Sequence, residues 1–179
     1  MMKKSPLRFA AIAVLALLVS SCQSDKKLQF CPGWTSVLDA VVVTQFKSDA
    51  AQDPADALFT GRITKVDGSC TFDKQGKKGN SSIDVSFTAT RPAPGDAATY
   101  TVPYFVAVTQ GTRIITRSTR SVTFSFDAGA TTTTAEEDVS DIDLVTDGDN
   151  KLYDYQILVG FQLTKAQYEY NKTIGIFQQ

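Results

Sequence analysis

The chain has 179 residues, of which 18 are basic and 19 are acidic, and it contains no histidine. This balance lacks the excess of positive charge that proteins use to bind nucleic acid, and the absence of histidine removes the commonest general base and zinc ligand. The composition therefore disfavours a nucleic-acid-binding protein and a histidine-dependent enzyme.

The first 21 residues have the pattern of a secretory signal. Lys3, Lys4 and Arg8 give a positively charged start, and residues 9–19 form an eleven-residue apolar run. A transmembrane helix needs about 20 apolar residues, so this run is too short to be one. A charged start, a short apolar run and small residues before a cleavage site are typical of a signal peptide. We predict that residues 1–21 form a signal helix that is removed on export.

The end of this segment carries a further motif. Residues 19–22 read Val-Ser-Ser-Cys and resemble the lipobox of bacterial lipoproteins, in which a branched apolar residue and two small residues precede a cysteine. The resemblance implies that the thiol of Cys22 receives a diacylglycerol, that cleavage falls before Cys22, and that the new amine is acylated, for example with palmitate. Two or more acyl chains give durable membrane anchoring. The alternative is an ordinary signal peptide with a chance cysteine at its boundary.

Residues 22–30 are predicted to form a polar tether between the lipid and the folded domain. At roughly 3.3–3.6 Å per extended residue, residues 23–29 of the tether would hold the domain about 25 Å from the bilayer. In lipoprotein sorting, an aspartate directly after the lipidated cysteine favours the inner membrane, whereas Gln23 permits export to the outer membrane. We therefore expect a membrane-anchored protein that faces the periplasm, with the outer membrane favoured over the inner membrane. Loss of Lys3, Lys4 and Arg8 with the signal leaves 15 basic and 19 acidic residues, a net charge of −4.

Cys31 and Cys70 remain as a pair once Cys22 is lipidated. An even number of cysteines in an exported chain favours a disulfide, because the periplasm is oxidising. The enclosed loop of 40 residues would stabilise the fold by about 3–4 kcal/mol on the chain-entropy model. The competing interpretation is a metal site, which the absence of histidine and of a Cys-X-X-Cys motif disfavours.

Residues 31–179 are predicted to form one all-β domain. Apolar and polar residues alternate in residues 82–90 and 153–163, which is typical of half-buried strands. The remaining strands are predicted at residues 37–46, 58–66, 100–108, 113–126 and 139–145. About seven antiparallel strands at this spacing indicate a β-sandwich of immunoglobulin or fibronectin type III character, with a small barrel as the alternative.

Four local features qualify this assignment. The sequence Asp-Gly-Ser at residues 67–69 predicts a turn after the second strand. Pro103 requires an edge strand or a bulge, because proline cannot donate a backbone hydrogen bond. The alternation slips phase within residues 113–120, which indicates a bulge or two short strands. Residues 165–172 are predicted to form one short helical turn.

The mature chain is similar to small uncharacterised envelope lipoproteins of proteobacteria. The residues that carry this similarity are Cys31-Pro32, Asp39-Ala40, Cys70 and the apolar run at residues 103–108. The resemblance implies architecture only and carries no activity to this chain.

The densest polar feature is an acidic segment. Its eight carboxylates lie within nineteen residues: Glu136, Glu137, Asp138, Asp141, Asp143, Asp147, Asp149 and Asp154. Oxygen ligands at short spacing suit calcium, and the EF-hand loop is the sequence pattern that most often presents them. Starting at Asp143, the third position is Val145, which offers no side-chain oxygen, and the twelfth is the short Asp154. We therefore predict a solubilising strand face and turn rather than a tight calcium site, with an irregular calcium site as the alternative.

Three further features receive structural interpretations. Arg113 and Arg117 are expected to share a strand face and to pair with the acidic segment. The basic loop at residues 74–80 is expected to be a solvated hairpin rather than a contact with anionic lipid or polymer. Trp34 is expected to cap the sandwich core rather than to serve as a sugar-binding platform.

The function expected from these observations is binding rather than catalysis. No Gly-X-Ser-X-Gly, Ser-X-X-Lys, P-loop or dinucleotide motif occurs, so no catalytic residue, cofactor or metal site is predicted. We expect a lipid-anchored envelope lipoprotein that acts as a binding, assembly or structural module with an envelope protein as partner. The alternative is a small-ligand or calcium-binding module, and a hydrolase is the least favoured.

Overall fold

Eight strands form two stacked sheets in the computed structural model, which describes residues 31–48 and 53–175. In chain order the strands are β1 (Gly33–Ser36), β2 (Val42–Phe46), β3 (Ala57–Phe72), β4 (Lys78–Thr90), β5 (Ala98–Gln110), β6 (Arg113–Phe126), β7 (Thr132–Val145) and β8 (Tyr155–Phe161). Sheet A has the order β1-β8-β5-β6, and sheet B has the order β2-β3-β4-β7. The predicted signal, Cys22 and the tether lie outside the described residues.

This arrangement confirms the predicted all-β sandwich. The strand pairs are antiparallel, apart from the parallel pair β1–β8. The likeness to immunoglobulin domains lies in the two-sheet architecture, since the strand order here is not the ABED and CFG order of those domains. Eight strands occur instead of about seven because β1 is too short, at four residues, to show an alternating pattern in the sequence.

The core lies between the sheets and is rich in aromatic side chains. Phe59 and Phe87 project from sheet B, and Tyr104, Phe124 and Phe161 project from sheet A; all five are fully buried. The rings of Phe87 and Tyr104 are 5.3 Å apart, and those of Phe59 and Phe124 are 5.7 Å apart. Aromatic pairs at this separation add about 0.5–1.5 kcal/mol to the free energy gained by burial.

The predicted turn at residues 67–69 is wrong, because β3 continues through it to Phe72. Asp67, Gly68 and Ser69 pair with successive residues of β4. A Cβ atom on Gly68 would lie 3.0 Å from the Trp34 ring and 2.9 Å from the Ser82 carbonyl oxygen. The glycine therefore makes room for Trp34, which packs against the core as predicted.

Both irregularities of sheet A have a clear geometry. Pro103 pairs with Ser121 of β6, and its carbonyl accepts a hydrogen bond from the Gln162 amide just beyond the end of β8. The prediction of an edge strand or a bulge at Pro103 is wrong, since β5 is a central strand and pairs regularly there. The strand tolerates proline because its missing N–H faces the end of the β8 ladder. The phase slip in β6 is a bulge, since Val108 pairs with Thr116 and the next residue of β5 pairs with Ile114. One β6 residue is left unpaired at this point.

The chain ends its described part in a helix, α1 (Lys165–Thr173), where a short helical turn was predicted. The Thr164 side chain caps its N-terminus. The side-chain amides of Gln167 and Asn171 donate to the carbonyls of Thr44 and Val42 in the edge strand β2, at 3.3 and 2.9 Å. The helix therefore covers this edge of sheet B. None of the described helices has the length and hydropathy needed to cross a membrane.

Candidate functional site

The two cysteines predicted to pair lie together. The Sγ atoms of Cys31 and Cys70 are at bonding distance, and their Cα atoms are 5.8 Å apart. Cys31 directly precedes β1 of sheet A, and Cys70 lies near the end of β3 in sheet B. The bridge therefore joins the two sheets at the point where the described chain begins.

Asp147 of the acidic segment organises a turn. Its carboxylate accepts hydrogen bonds from Asn150 Nδ2 at 2.8 Å, the Tyr155 hydroxyl at 3.2 Å and Arg113 at 3.3 Å. These donors lower the pKa of Asp147, with Asn150 making the largest contribution. Burial is the main cause of the raised pKa of Tyr155. Lys77 also donates to the carbonyl of Asn150 at 2.8 Å. The turn is therefore held by side chains at the beginnings of three strands, β4, β6 and β8.

The remaining carboxylates of the segment are dispersed. Asp138 of β7 lies opposite Asp84 of β4, which lies opposite Asp67 of β3. Lys65 forms an ion pair with Asp67, and this hydrogen bond is the main cause of the raised pKa of Lys65. Like charges at opposite positions of neighbouring strands repel each other. The row of Asp138, Asp84 and Asp67 therefore depends on water to screen its charges and forms a solvated face of sheet B. Within residues 31–48 and 53–175, no group of three or more His, Cys, Asp or Glu side chains is placed to hold a metal ion.

The two arginines do not behave as a pair. Arg113 forms the expected ion pair with Asp147 at 3.3 Å. Arg117 instead places its guanidinium 4.5 Å from the centre of the Phe105 ring and donates to Gln162 at 3.3 Å. The prediction that both share a strand face is wrong, because the β6 bulge reverses the alternation between them.

The basic loop at residues 74–80 is attached to the rest of the molecule. Lys77 Nζ binds the carbonyls of Gly148 and Asn150. Asn80, already within β4, donates to Asp143 at 2.9 Å. The solvated hairpin predicted at residues 74–80 is therefore shorter, because β4 begins at Lys78, and it is tied to the turn at residues 147–150.

An apolar depression lies on the outer face of sheet A. We call it the A-face and define it by Val37, Phe105, Ala107, Ile114 and Leu158, which line a shallow depression of about 370 Å³. Ile114 is the most prominent side chain, with 61% of its surface exposed. A second depression of about 450 Å³ adjoins it at Phe105 and has polar residues on its rim.

The A-face depends on close packing beneath Phe105. A Cβ atom at Gly160 would lie 2.7 Å from the Phe105 ring and 2.8 Å from the Cβ of Ala40. Glycine at this position therefore allows the ring to lie against β8. Arg117 covers the ring from the other side, and such a cation–π contact contributes about 0.5–1 kcal/mol at an exposed site. The ring is thus held in place before any partner binds.

Sequence reasoning did not identify the A-face, although a signal was present. Residues 100–108 are largely apolar on both strand faces, a pattern that is also typical of a central strand. The outward residues Phe105 and Ala107, together with Leu158 on β8, could have indicated an apolar outer surface.

Comparison with known proteins adds no assignment. No protein-family model, no curated protein and no solved structure matches the chain significantly.

Proposed function

We propose that this chain is a lipid-anchored binding module of the bacterial envelope and that a protein partner docks on the A-face. The A-face is the single observation that carries this proposal. Isolated exposed apolar side chains are ordinary, but a contiguous apolar patch with a polar rim is typical of a protein-binding surface.

The chemistry of the A-face defines the partner. The half-buried side chains of Phe105 and Leu158 and the buried Ala107 form the apolar floor of the depression, and the exposed Ile114 stands at its edge. Arg117 is fixed beside the floor by Phe105 and Gln162. An aliphatic or aromatic side chain in the depression and a carboxylate opposite the guanidinium would complement this surface. The partner is therefore a protein with an apolar anchor residue beside an acidic group.

The lipobox-like residues 19–22 support the membrane anchor in this proposal. A lipid on Cys22 and a short tether would confine the sandwich to a thin layer above one membrane. Confinement raises the effective concentration of both partners, so a shallow surface can suffice for binding. The conspicuous polar groups elsewhere serve the fold, as Asp147 does in its turn, and this favours binding over catalysis.

The test compares two substitutions on the same face of sheet A. Ile114→Glu places a charge on the A-face, whereas Thr101→Glu places the same charge at an exposed position of β5 nearer the other end of the sheet. The measurement is the amount of partner recovered when the tagged chain is captured after crosslinking in cells. Thr101→Glu should recover as much partner as the native protein does. Ile114→Glu should reduce its recovery by roughly tenfold or more, as expected for an interface anchor. Equal recovery from both variants would contradict the proposal.

A further inference from the structure

Two long edge strands remain open on one side of the sandwich. Helix α1 covers the edge strand β2, as described above, but β6 and β7 each pair with one neighbour only among the described residues. Each of the two strands has 14 residues. They lie together across an opening between the sheets, a groove of about 330 Å³ lined on one side by Thr116, Ser118 and Arg120 and on the other by residues 139–143. Open strand edges are templates for pairing with another chain.

The two edge strands carry opposite charge. β6 contains Arg113, Arg117 and Arg120 and no acidic residue. β7 contains no basic residue and five acidic ones: Glu136, Glu137, Asp138, Asp141 and Asp143. Arg113 and Arg117 have the contacts given above, and Asp143 accepts from Asn80. The other charged groups on both strands have no ion pair or side-chain hydrogen bond within residues 31–48 and 53–175, so their charges are available.

We propose that a second copy of this chain binds at this side of the sandwich, with β6 of each copy pairing with β7 of the other. A two-fold axis parallel to the strands places sheet A of the second copy beside sheet B of the first, and sheet B of the second beside sheet A of the first. This rotation leaves the direction of every strand unchanged. Because β6 and β7 run in opposite directions, each new pair is antiparallel. The result is a closed dimer in which each sheet A continues into the partner's sheet B.

The relative positions of the charges favour this pairing. Arg120 and Glu137 both point to the inner side of their sheets, as their β-partners Tyr104 and Val85 do. Tyr104, the β-partner of Arg120, packs its ring 5.3 Å from that of Phe87, which lies two residues along β4 from Val85, the β-partner of Glu137. This packing places Arg120 and Glu137 near the same level along the strands. The two-fold axis keeps that level, so Arg120 of one copy faces Glu137 of the other, and the contact occurs twice in the dimer.

The orientation is also compatible with a membrane anchor. An axis parallel to the strands places Cys31 of both copies at the same end of the dimer. Both tethers could then reach one bilayer. This inference goes beyond the proposed function and does not require it, since Arg120 and Glu137 are not part of the A-face.

A charge exchange tests the dimer. The chain from Gln23 onward retains every described residue of the sandwich, and sedimentation velocity can follow its association at up to about 1 mM, the order of effective concentration that tethering provides. We expect the native chain to dimerise. Arg120→Glu and Glu137→Arg should each weaken the dimer roughly tenfold or more, because like charges then face each other. Arg62→Glu, an equal charge change on an exposed site of β3, should have no effect.

The mixture of the two variants is decisive. In a mixed dimer of Arg120→Glu with Glu137→Arg, both contacts join opposite charges, so association should return to the native level. Rescue by mixing also shows that neither variant is simply misfolded. A native chain that stays monomeric at every concentration would overturn the proposal and leave the charges as protection against edge association. A native dimer that is insensitive to the two reversals, or a mixture without rescue, would overturn it equally.

Discussion

Removal of the Cys31–Cys70 bridge should destabilise the sandwich by several kcal/mol. The two residues are 39 positions apart, and the chain-entropy model gives about 4 kcal/mol for a loop of this length. For a domain of this size, 1 kcal/mol corresponds to roughly 2–4 °C in melting temperature, so the loss is about 8–16 °C. The four residues of β1 pair with β8 alone, so they should be the first to open.

The assay compares two forms of the chain from Gln23 onward, the native sequence and the Cys31→Ala and Cys70→Ala double variant. Circular dichroism monitors the unfolding of each form in urea. Hydrogen exchange of residues 33–36 should accelerate in the variant more than exchange in β5. Titration of the denatured native protein, purified without reductant, should find no free thiol. A loss below about 1 kcal/mol, or two titratable thiols, would refute the reasoning that the bridge restrains the unfolded chain.

Three further outcomes are expected. Asn171→Ala should cost about 1–3 kcal/mol, because it leaves a buried carbonyl of Val42 without its donor; an unchanged urea midpoint would show that α1 does not protect the β2 edge. Burial raises the pKa of Tyr104 to about 12. The stability that the neutral phenol contributes is therefore complete below the ordinary tyrosine pKa near 10 and is lost as the pH rises towards 12. Tyr104→Phe should flatten the alkaline fall in melting temperature, and an identical fall in both proteins would contradict this. Cys22→Ser should block lipid attachment and leave an uncleaved precursor, and intact-mass analysis that finds normal cleavage without loss of acyl mass would exclude the lipid anchor.

The strands with one buried face could be predicted from alternation alone. Tyr155, Ile157, Val159 and Phe161 alternate with more exposed residues for most of β8, and all four are buried in the structure. Alternation reports directly which side of a strand leaves water, and it requires no knowledge of the partner strand. The same reasoning located the bulge in β6 from a phase slip.

Features set by distant neighbours could not be predicted. Gly68 resembles a turn residue in the sequence, but its lack of a side chain serves the packing of Trp34 from the other sheet. Arg113 was expected to pair with the acidic segment, but nothing in the sequence selects Asp147, 34 positions away, among the eight carboxylates of that segment. The A-face likewise combines β5, β6 and β8, whose adjacency appears only once the sheet order is known.

The most direct test of the binding module is photo-crosslinking in cells from position 114, in the chain that retains Cys22. A photoreactive residue at Ile114 should yield one predominant protein adduct, because this side chain stands at the edge of the A-face. The same residue at Thr101 should yield no such adduct, and Cys22→Ser should reduce the adduct formed from position 114. Adducts of equal yield from both positions, or none from position 114, would contradict the proposal that a protein partner docks on the A-face.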